Sequence, residues 1–178
     1  MVQVRWALRG EAPRVYSLFR ALVEAEQAKP PDPSMFARSW GRSFRGGGFR
    51  FAVAEGAEGA IVGCMTLHAH YSTWKGAPVV SLEDFYVLPA QRSRGIGSMM
   101  LGFAEGYAQS LGAARVELHV RRDNARAQAL YLKRGFEDTP YLWYHKGLPL
   151  LEGGPGAVHP EAPGMIEKGG GARRRGGR

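Results

Sequence analysis

One junction constrains this chain more than any other. A strand rich in β-branched and aromatic residues, 79–87, runs past Pro89 into Arg92-Ser93-Arg94-Gly95-Ile96-Gly97-Ser98. An apolar-periodic helix, 97–111, begins there, with Met100, Leu101, Ala104, Tyr107, Ala108 and Leu111 on one face. Gly95 and Gly97 lack Cβ atoms, so the backbone can approach a bulky anion closely. The first-turn N–H groups of the helix have no intrahelical acceptor and point at the same place. Arg92 and Arg94 add positive charge at the rim, and a pyrophosphate suits such a site. The third glycine of a dinucleotide fingerprint is absent. So is the Gly-Lys-Ser/Thr ending of a nucleoside-triphosphate loop, which disfavours both alternatives.

Periodicity orders the rest. Residues 2–8 put Val2, Val4, Trp6 and Leu8 on one face of a half-buried strand. Residues 12–28 place Val15, Leu18, Phe19, Leu22 and Val23 at helical spacing before Pro30-Pro31. A shorter helix over 34–44 stops at Gly46-Gly47-Gly48, and residues 49–55 and 60–71 pair as strands about a turn at 56–59. Gly102 and Gly106 weaken the central helix by roughly 1 kcal/mol each relative to Ala, so it relies on packing. A short strand at 115–120 and a helix at 124–133 follow, the helix closed by Gly135. Residues 136–138 and 141–146 make a final hairpin-like pair. The predicted fold class is α/β, a mixed sheet with helices on both faces, spanning residues 1–148.

Composition bounds the possibilities. From Pro149 to Arg178 there are nine glycines and four prolines with few large apolar residues. That stretch cannot offset its ordering entropy and is expected to be a disordered tail, 149–178. No run approaches the length of a membrane span. The start of the chain lacks the sections of a secretory signal. Cys64 is the single cysteine, which excludes an internal disulfide and a cysteine-built zinc site and leaves the cytoplasm as the default. A net charge of +8 favours anionic partners.

The segment 92–98 resembles the acyl-CoA-binding motif of the GNAT family of N-acetyltransferases, Gln/Arg-x-x-Gly-x-Gly/Ala, with Arg92, Gly95 and Gly97 in its defined positions. Asn124 lies 27 residues after Gly97 and opens Asn124-Ala125-Arg126-Ala127-Gln128-Ala129-Leu130-Tyr131-Leu132-Lys133-Arg134-Gly135-Phe136. This is similar to the family's second signature, an Asn at a helix start and an aromatic-x-x-x-Gly-Phe ending. The resemblance covers residues 2–146. It implies a GNAT-like acyl-CoA N-acyltransferase fold whose strands at 79–87 and 115–120 splay apart to admit the pantetheine of acetyl-CoA. Backbone groups of Phe85, Tyr86 and Val87 would bind that arm, residues 92–98 the pyrophosphate, and Asn124 the region near the thiol. Asn124 is also a good helix cap. Tyr131 would protonate the departing sulfur, or else pack in the core.

Glu83 and Asp84 are adjacent in an apolar strand, so their side chains are expected on opposite faces, one of them at an amine pocket. Either could take the amine's proton through water or attract the ammonium. The run Ser81-Leu82-Glu83-Asp84-Phe85-Tyr86-Val87, with Tyr71-Ser72-Thr73-Trp74 upstream, resembles the diamine (spermidine/spermine-type) branch, in which Glu83 would be the water-mediated base. A strongly basic chain opposes a polycation at long range. The expected reaction is acetyl transfer from acetyl-CoA to a primary amine. A protein N-terminus or lysine is the alternative acceptor, and a CoA-binding or RNA-associated protein without transferase activity the alternative class. His68 and His70 alternate on one strand without a third ligand, so no metal is expected. Cys64 is expected to be a small buried residue. The arginine-glycine end, 169–178, resembles RNA-associating segments but is more simply a solvated terminus. The family resemblance also allows a homodimer.

Overall fold

The computed structural model describes residues 1–46 and 48–148. Met1–Asp138 forms one compact unit and Thr139–Arg178 a second. The described part of the second, 139–148, has neither helix nor strand. The expected tail, 149–178, lies outside the described residues.

The first unit contains β1 (Gln3–Trp6), α1 (Ala12–Ala25), α2 (Pro33–Ser43), β2 (Phe49–Glu55), β3 (Ile61–Ser72), β4 (Ala77–Val87), α3 (Ile96–Ser110), β5 (Arg115–Leu118) and α4 (Ala125–Lys133). Local chemistry sets the ends. Asp32 caps α2 by accepting from the Ser34 N–H at 2.7 Å, with Pro33 pre-set for the first turn. Gly112 and Gly135 adopt the positive φ that lets the chain leave α3 and α4. The strands form one five-stranded sheet in the order β1-β2-β3-β4-β5. The first four are antiparallel and β5 is parallel to β4, with α3 as the crossover.

Each face of the sheet has its own core. On one side Val15 and Leu18 of α1 and Phe36 and Trp40 of α2 cover Phe51, Val53, Cys64 and Tyr86. On the other, Ile96, Met100, Leu101 and Ala104 of α3 and Tyr131 of α4 cover Met65, Leu67, Val80 and Leu82. The helical and strand periodicities of the sequence therefore point inward, except at Leu8 and Leu111, which lie beyond the ends of β1 and α3 and are exposed. No helix among the described residues is long and apolar enough to cross a membrane. One expected element is missing: neither 136–138 nor 141–146 is a strand. Pro140, without an N–H, and the charged pair Glu137-Asp138 interrupt the segment where pairing would have to start.

Two constraints hold β1 and the central strands. Arg5 donates to both carboxylate oxygens of the buried Glu11, at 3.0 and 2.6 Å, and to Glu55 at 2.6 Å, joining β1, the start of α1 and β2. Glu11 also accepts from the Leu8 N–H at 2.7 Å. The Arg5 hydrogen bonds hold the Glu11 carboxyl below its usual range, against the opposing effect of burial. Gly63, in β3, leaves no room for a side chain: a Cβ would lie 2.9 Å from the Tyr86 carbonyl and 3.0 Å from the Met100 sulfur.

Two outcomes follow for stability. Gly63→Ala loses about 1–3 kcal/mol in urea unfolding, because strand backbone has to move to accept the methyl group. Glu11→Gln costs on the order of 2 kcal/mol at neutral pH. Because the folded pKa of Glu11 is lowered, its contribution is complete above the unfolded value, about 4.3, and fades as pH falls through the folded one. The stability gap between wild type and variant, followed by thermal unfolding at several pH values, narrows in that acidic window.

Candidate active site

The parallel ladder between β4 and β5 pairs Val79 with Arg115 and ends at Leu82 with Leu118. From Glu83 to Val87, β4 has β3 on one side and no ladder partner in β5 on the other. The splaying expected of residues 79–87 and 115–120 is present, and Glu83, Asp84, Phe85, Tyr86 and Val87 lie along the opened edge.

A β-bulge falls in the same stretch. Across the β3–β4 pair, Cys64 faces Tyr86 and Thr66 faces Glu83, so Met65 alone opposes Asp84 and Phe85. Asp84 takes up the extra length in the left-handed region, at φ 51°. The bulge reverses the alternation. Val80 and Leu82 pack on the α3 side before it, and Phe85 and Val87 do so after it. Glu83 and Asp84 are both turned to the α1 side. Asp84 Oδ2 accepts from Thr66 Oγ1 at 2.7 Å, and Glu83 Oε2 lies 3.4 Å from His68 Nε2. Thr66 and His68 are two residues apart and share a face of β3. The expectation that the two carboxylates point to opposite faces is thus corrected, since simple alternation fails at a bulge.

A cavity of about 250 Å³ opens here. Leu22 and Glu26 of α1, residues 82–85 of β4, His119, Val120 and Arg121 after β5, and Asn124 and Tyr131 line it. Burial raises the Asp84 carboxyl above its ordinary value and the Glu83 charge adds to this, while the Thr66 hydrogen bond and His68 oppose. Burial pushes the Tyr131 phenol up to about 12, so it carries its proton at neutral pH. Its ring packs among Phe85 and Phe136, at centroid distances of 6.2 and 5.8 Å. Tyr131 therefore packs in the core and also lines the cavity. Asn124 caps α4 by accepting from the Ala127 N–H at 3.1 Å and also lines the cavity.

The loop at the end of β4 is built largely as expected. Gly95 is the N-cap of α3 at φ 79°, and no side chain caps that helix start. The first-turn N–H groups of Ile96, Gly97 and Ser98 are therefore directed out of the helix. Ser93 is also left-handed, at φ 63°. Arg92 is less free than a rim charge: its Nε donates to the Val87 carbonyl at 2.8 Å and its guanidinium lies over the Tyr86 ring. Arg94 donates to Gln91 at 3.1 Å. Gly97 has a different use from Gly95. A Cβ there would lie 2.9 Å from a Leu130 methyl, so the glycine lets α3 and α4 pack closely. Arg126, passed over in the sequence, donates from α4 to Ser93 Oγ at 3.1 Å and brings a third arginine to the loop. An uncapped helix start with arginines around it matches the donor set a pyrophosphate needs.

Other expectations separate cleanly. His68 and His70 each sit beside a carboxylate, Glu83 at 3.4 Å and Glu117 at 3.8 Å. Cys64 is buried, and burial pushes its thiol far above the ordinary range, so it is no nucleophile. Of the aromatics that the sequence offers either for a substrate mouth or for packing, Trp40 is in the core and donates to the Arg9 carbonyl at 2.9 Å, whereas Trp74 and Tyr71 are exposed. The sequence signal missed Thr66, Glu26 and Arg121, whose place in the site depends on register and on a loop rather than on any motif.

Residues 13–136 match the model of the "Acetyltransferase (GNAT) family". The thialysine N-epsilon-acetyltransferase of Bos taurus is 32% identical over 148 residues, covering 77% of this chain and 85% of that protein. The aminoalkylphosphonate N-acetyltransferase of Salmonella typhimurium is 31% identical over 94 residues, 52% of this chain and 58% of that one. Among solved structures, an acetyltransferase of Trypanosoma brucei superposes with a TM-score of 0.67 at 22% identity, covering 82% of this chain and 99% of that one. AAC(6')-Iy, solved with the bisubstrate analog CoA-S-monomethyl-acetylneamine, superposes with a TM-score of 0.72 at 18% identity, over 84% and 99%. These two likenesses show the fold, and with the family match over the elements that build the site, the chain belongs to the GNAT acetyltransferase family, whose acetyl donor is acetyl-CoA.

Proposed function

We propose that this acetyltransferase moves the acetyl group of acetyl-CoA to a small primary amine by direct attack. The observation that carries the reading is one cavity shared by Glu83 and Asp84 at the β4 bulge and by Tyr131 of α4. A volume of about 250 Å³ with Glu26, Glu83 and Asp84 in its wall suits a compact amine or diamine better than a folded protein surface. Two relatives are named for small amine acceptors, thialysine and aminoalkylphosphonates. The single buried cysteine suits a reducing cytoplasm, where we place the enzyme.

The cofactor's pyrophosphate lies on the α3 start at residues 92–98, and Arg126 adds to its charge balance. Its pantetheine arm runs along the opened edge at Phe85, Tyr86 and Val87 and brings the thioester between β4 and β5, near Asn124. The acceptor arrives as an ammonium and is held by the carboxylates. It sheds two N–H protons in the reaction, one to Glu83 before attack and one to Tyr131 as the intermediate collapses, replacing the proton that Tyr131 gives to the thiolate. Asp84 is half-buried and fastened to Thr66, which makes it the fixed counter-charge. Glu83 lies between the cavity and solvent, half-exposed, and takes the amine's proton through a water molecule. The neutral amine attacks the acetyl carbon, and Tyr131 gives its proton to the departing thiolate.

Acetyl transfer measured over diamines, amino acids with side-chain amines, aminoglycosides and peptides tests the reading. The expected result is turnover of a small amine with peptides inert; transfer to peptides alone, or to none of these despite acetyl-CoA binding, overturns it. Tyr131→Phe lowers kcat on the order of 100-fold with little change in KM for the amine; an unchanged kcat removes Tyr131 from the chemistry. Gly95→Ala, strained at a positive φ, weakens acetyl-CoA binding about tenfold. Gly97→Ala, which crowds the tip of Leu130 and meets the Phe85 ring at ordinary contact distance, weakens it far less. Equal effects in calorimetric titration would contradict these separate uses of the two glycines. Because the Asp84 pKa is raised, its charge is lost early as pH falls, so kcat/KM for the amine drops on the acidic side. Asp84→Asn is expected to remove that dependence along with most of the activity.

A further inference from the structure

His68 stands beside the carboxylate assigned as the base, yet the chemistry above gives it no part. It faces Ser81 across the β3–β4 ladder and lies on the same side of the sheet as Glu83. Its Nε2 is 3.4 Å from Glu83 Oε2. The imidazole is stacked on Phe49, its partner across the β2–β3 ladder, with centroids 5.1 Å apart and planes 20° from parallel. Stacking fixes the ring plane and keeps one edge toward Glu83, while the side chain remains 35% exposed to water.

A polar strip thus leads outward from the cavity floor. The buried Thr66 and the half-buried Asp84 are at its inner end, Glu83 and His68 are in the middle, and His70 and Glu117 are at the surface end. The charged groups facing His68 are Glu83 and Asp84 from β4 and His70 from its own strand, while β2 presents the uncharged Phe49. Across the cavity stand Glu26 and Arg121, which pair with each other at 3.4 Å.

The reaction has a proton to dispose of. An ammonium that becomes an amide loses two N–H protons; one ends on the free thiol, and the other has to reach solvent. Resting on the reading of Glu83 as base, we propose that His68 is the positioning and proton-exit residue of this site, holding the Glu83 carboxylate toward the cavity and passing the released proton to water. In the first transfer a nitrogen–hydrogen bond breaks and a proton arrives on Glu83. That O–H then breaks as Nε2–H forms on the neutral imidazole, and the exposed imidazolium returns the proton to water. No oxidant, reductant or further reactant is needed. An imidazolium cannot accept a second proton, so the relay runs only from the neutral ring.

The test uses the full chain and whichever amine of the panel turns over fastest. His68→Gln is expected to lower kcat about tenfold, less than the 10²–10⁴ of a group that acts directly on the substrate. It leaves KM for acetyl-CoA unchanged and moves the acidic limb of the kcat profile. In His68→Ala, added imidazole restores part of the lost rate in proportion to its free-base concentration, which a packing defect would not show. In a Glu83→Gln background, His68→Gln costs nothing further. Thermal unfolding and acetyl-CoA titration confirm that each variant is folded. If Glu83→Gln is crippled but His68→Gln keeps the wild-type rate and profile, the relay is overturned and Glu83 stands as base. If Glu83→Gln keeps full activity, the base assignment fails and the relay falls with it. A His68→Ala defect that imidazole does not relieve also overturns the proton-exit role.

Discussion

The site depends on where the β4–β5 ladder stops. In a closed sheet, side chains from opposite faces are kept apart by the backbone layer between them. Here β4 runs on to Val87 while its pairing with β5 ends at Leu82. Through that opening Tyr131, which belongs to the core on the α3 side, reaches the same cavity as Leu22 and Glu26 from the α1 side. The bulge at Asp84 acts at the same place. By reversing the alternation it turns two consecutive carboxylates to one face, an arrangement an ideal strand cannot produce. Donor and acceptor can then approach from opposite sides of one sheet and react in its gap.

Electrostatics divides along the same line. The chain carries a net charge of +8, which opposes a cationic acceptor at long range. Beyond about 8–10 Å at physiological salt that field is largely screened, and the local groups decide. Around the cavity these are Glu26, Glu83 and Asp84, with Arg121 tied to Asp123 at 2.7 Å and to Glu26 at 3.4 Å. The arginines around the α3 start, Arg92, Arg94 and Arg126, lie at the proposed pyrophosphate site, away from these carboxylates. A basic protein can therefore present an acidic pocket to an amine.

Much of this was legible in the sequence because it is local. Strand alternation and helix periodicity set the element order to within a few residues, and Gly95 marks a backbone turn that few other residues adopt. The Asn124–Phe136 segment carries cap, aromatic and stop in one stretch. What escaped the sequence depends on pairing across distance. Nothing in Leu82-Glu83-Asp84-Phe85 announces a bulge; it becomes visible only when Cys64 and Thr66 are set against Tyr86 and Glu83. His68 reads as an ordinary strand histidine until Phe49 and Glu83 are placed on either side of it. Gly97 was assigned to the anion but also serves a helix contact made by Leu130, 33 residues away. The apolar segment at 141–146 has strand-like content but no strand conformation, since composition alone does not set backbone conformation.

Calorimetric titration of the intact protein with acetyl-CoA tests the central claim most directly, because the loop, the opened edge and the cavity all have to cooperate to bind it. The predicted result is saturable binding at one site per chain, competed by free CoA, and weakened by salt because the pyrophosphate is held by charge and helix-start N–H groups. Dephosphorylated pantetheine alone should bind much more weakly. A folded protein that takes up no acetyl-CoA, or binds pantetheine as tightly as the whole cofactor, would contradict the account.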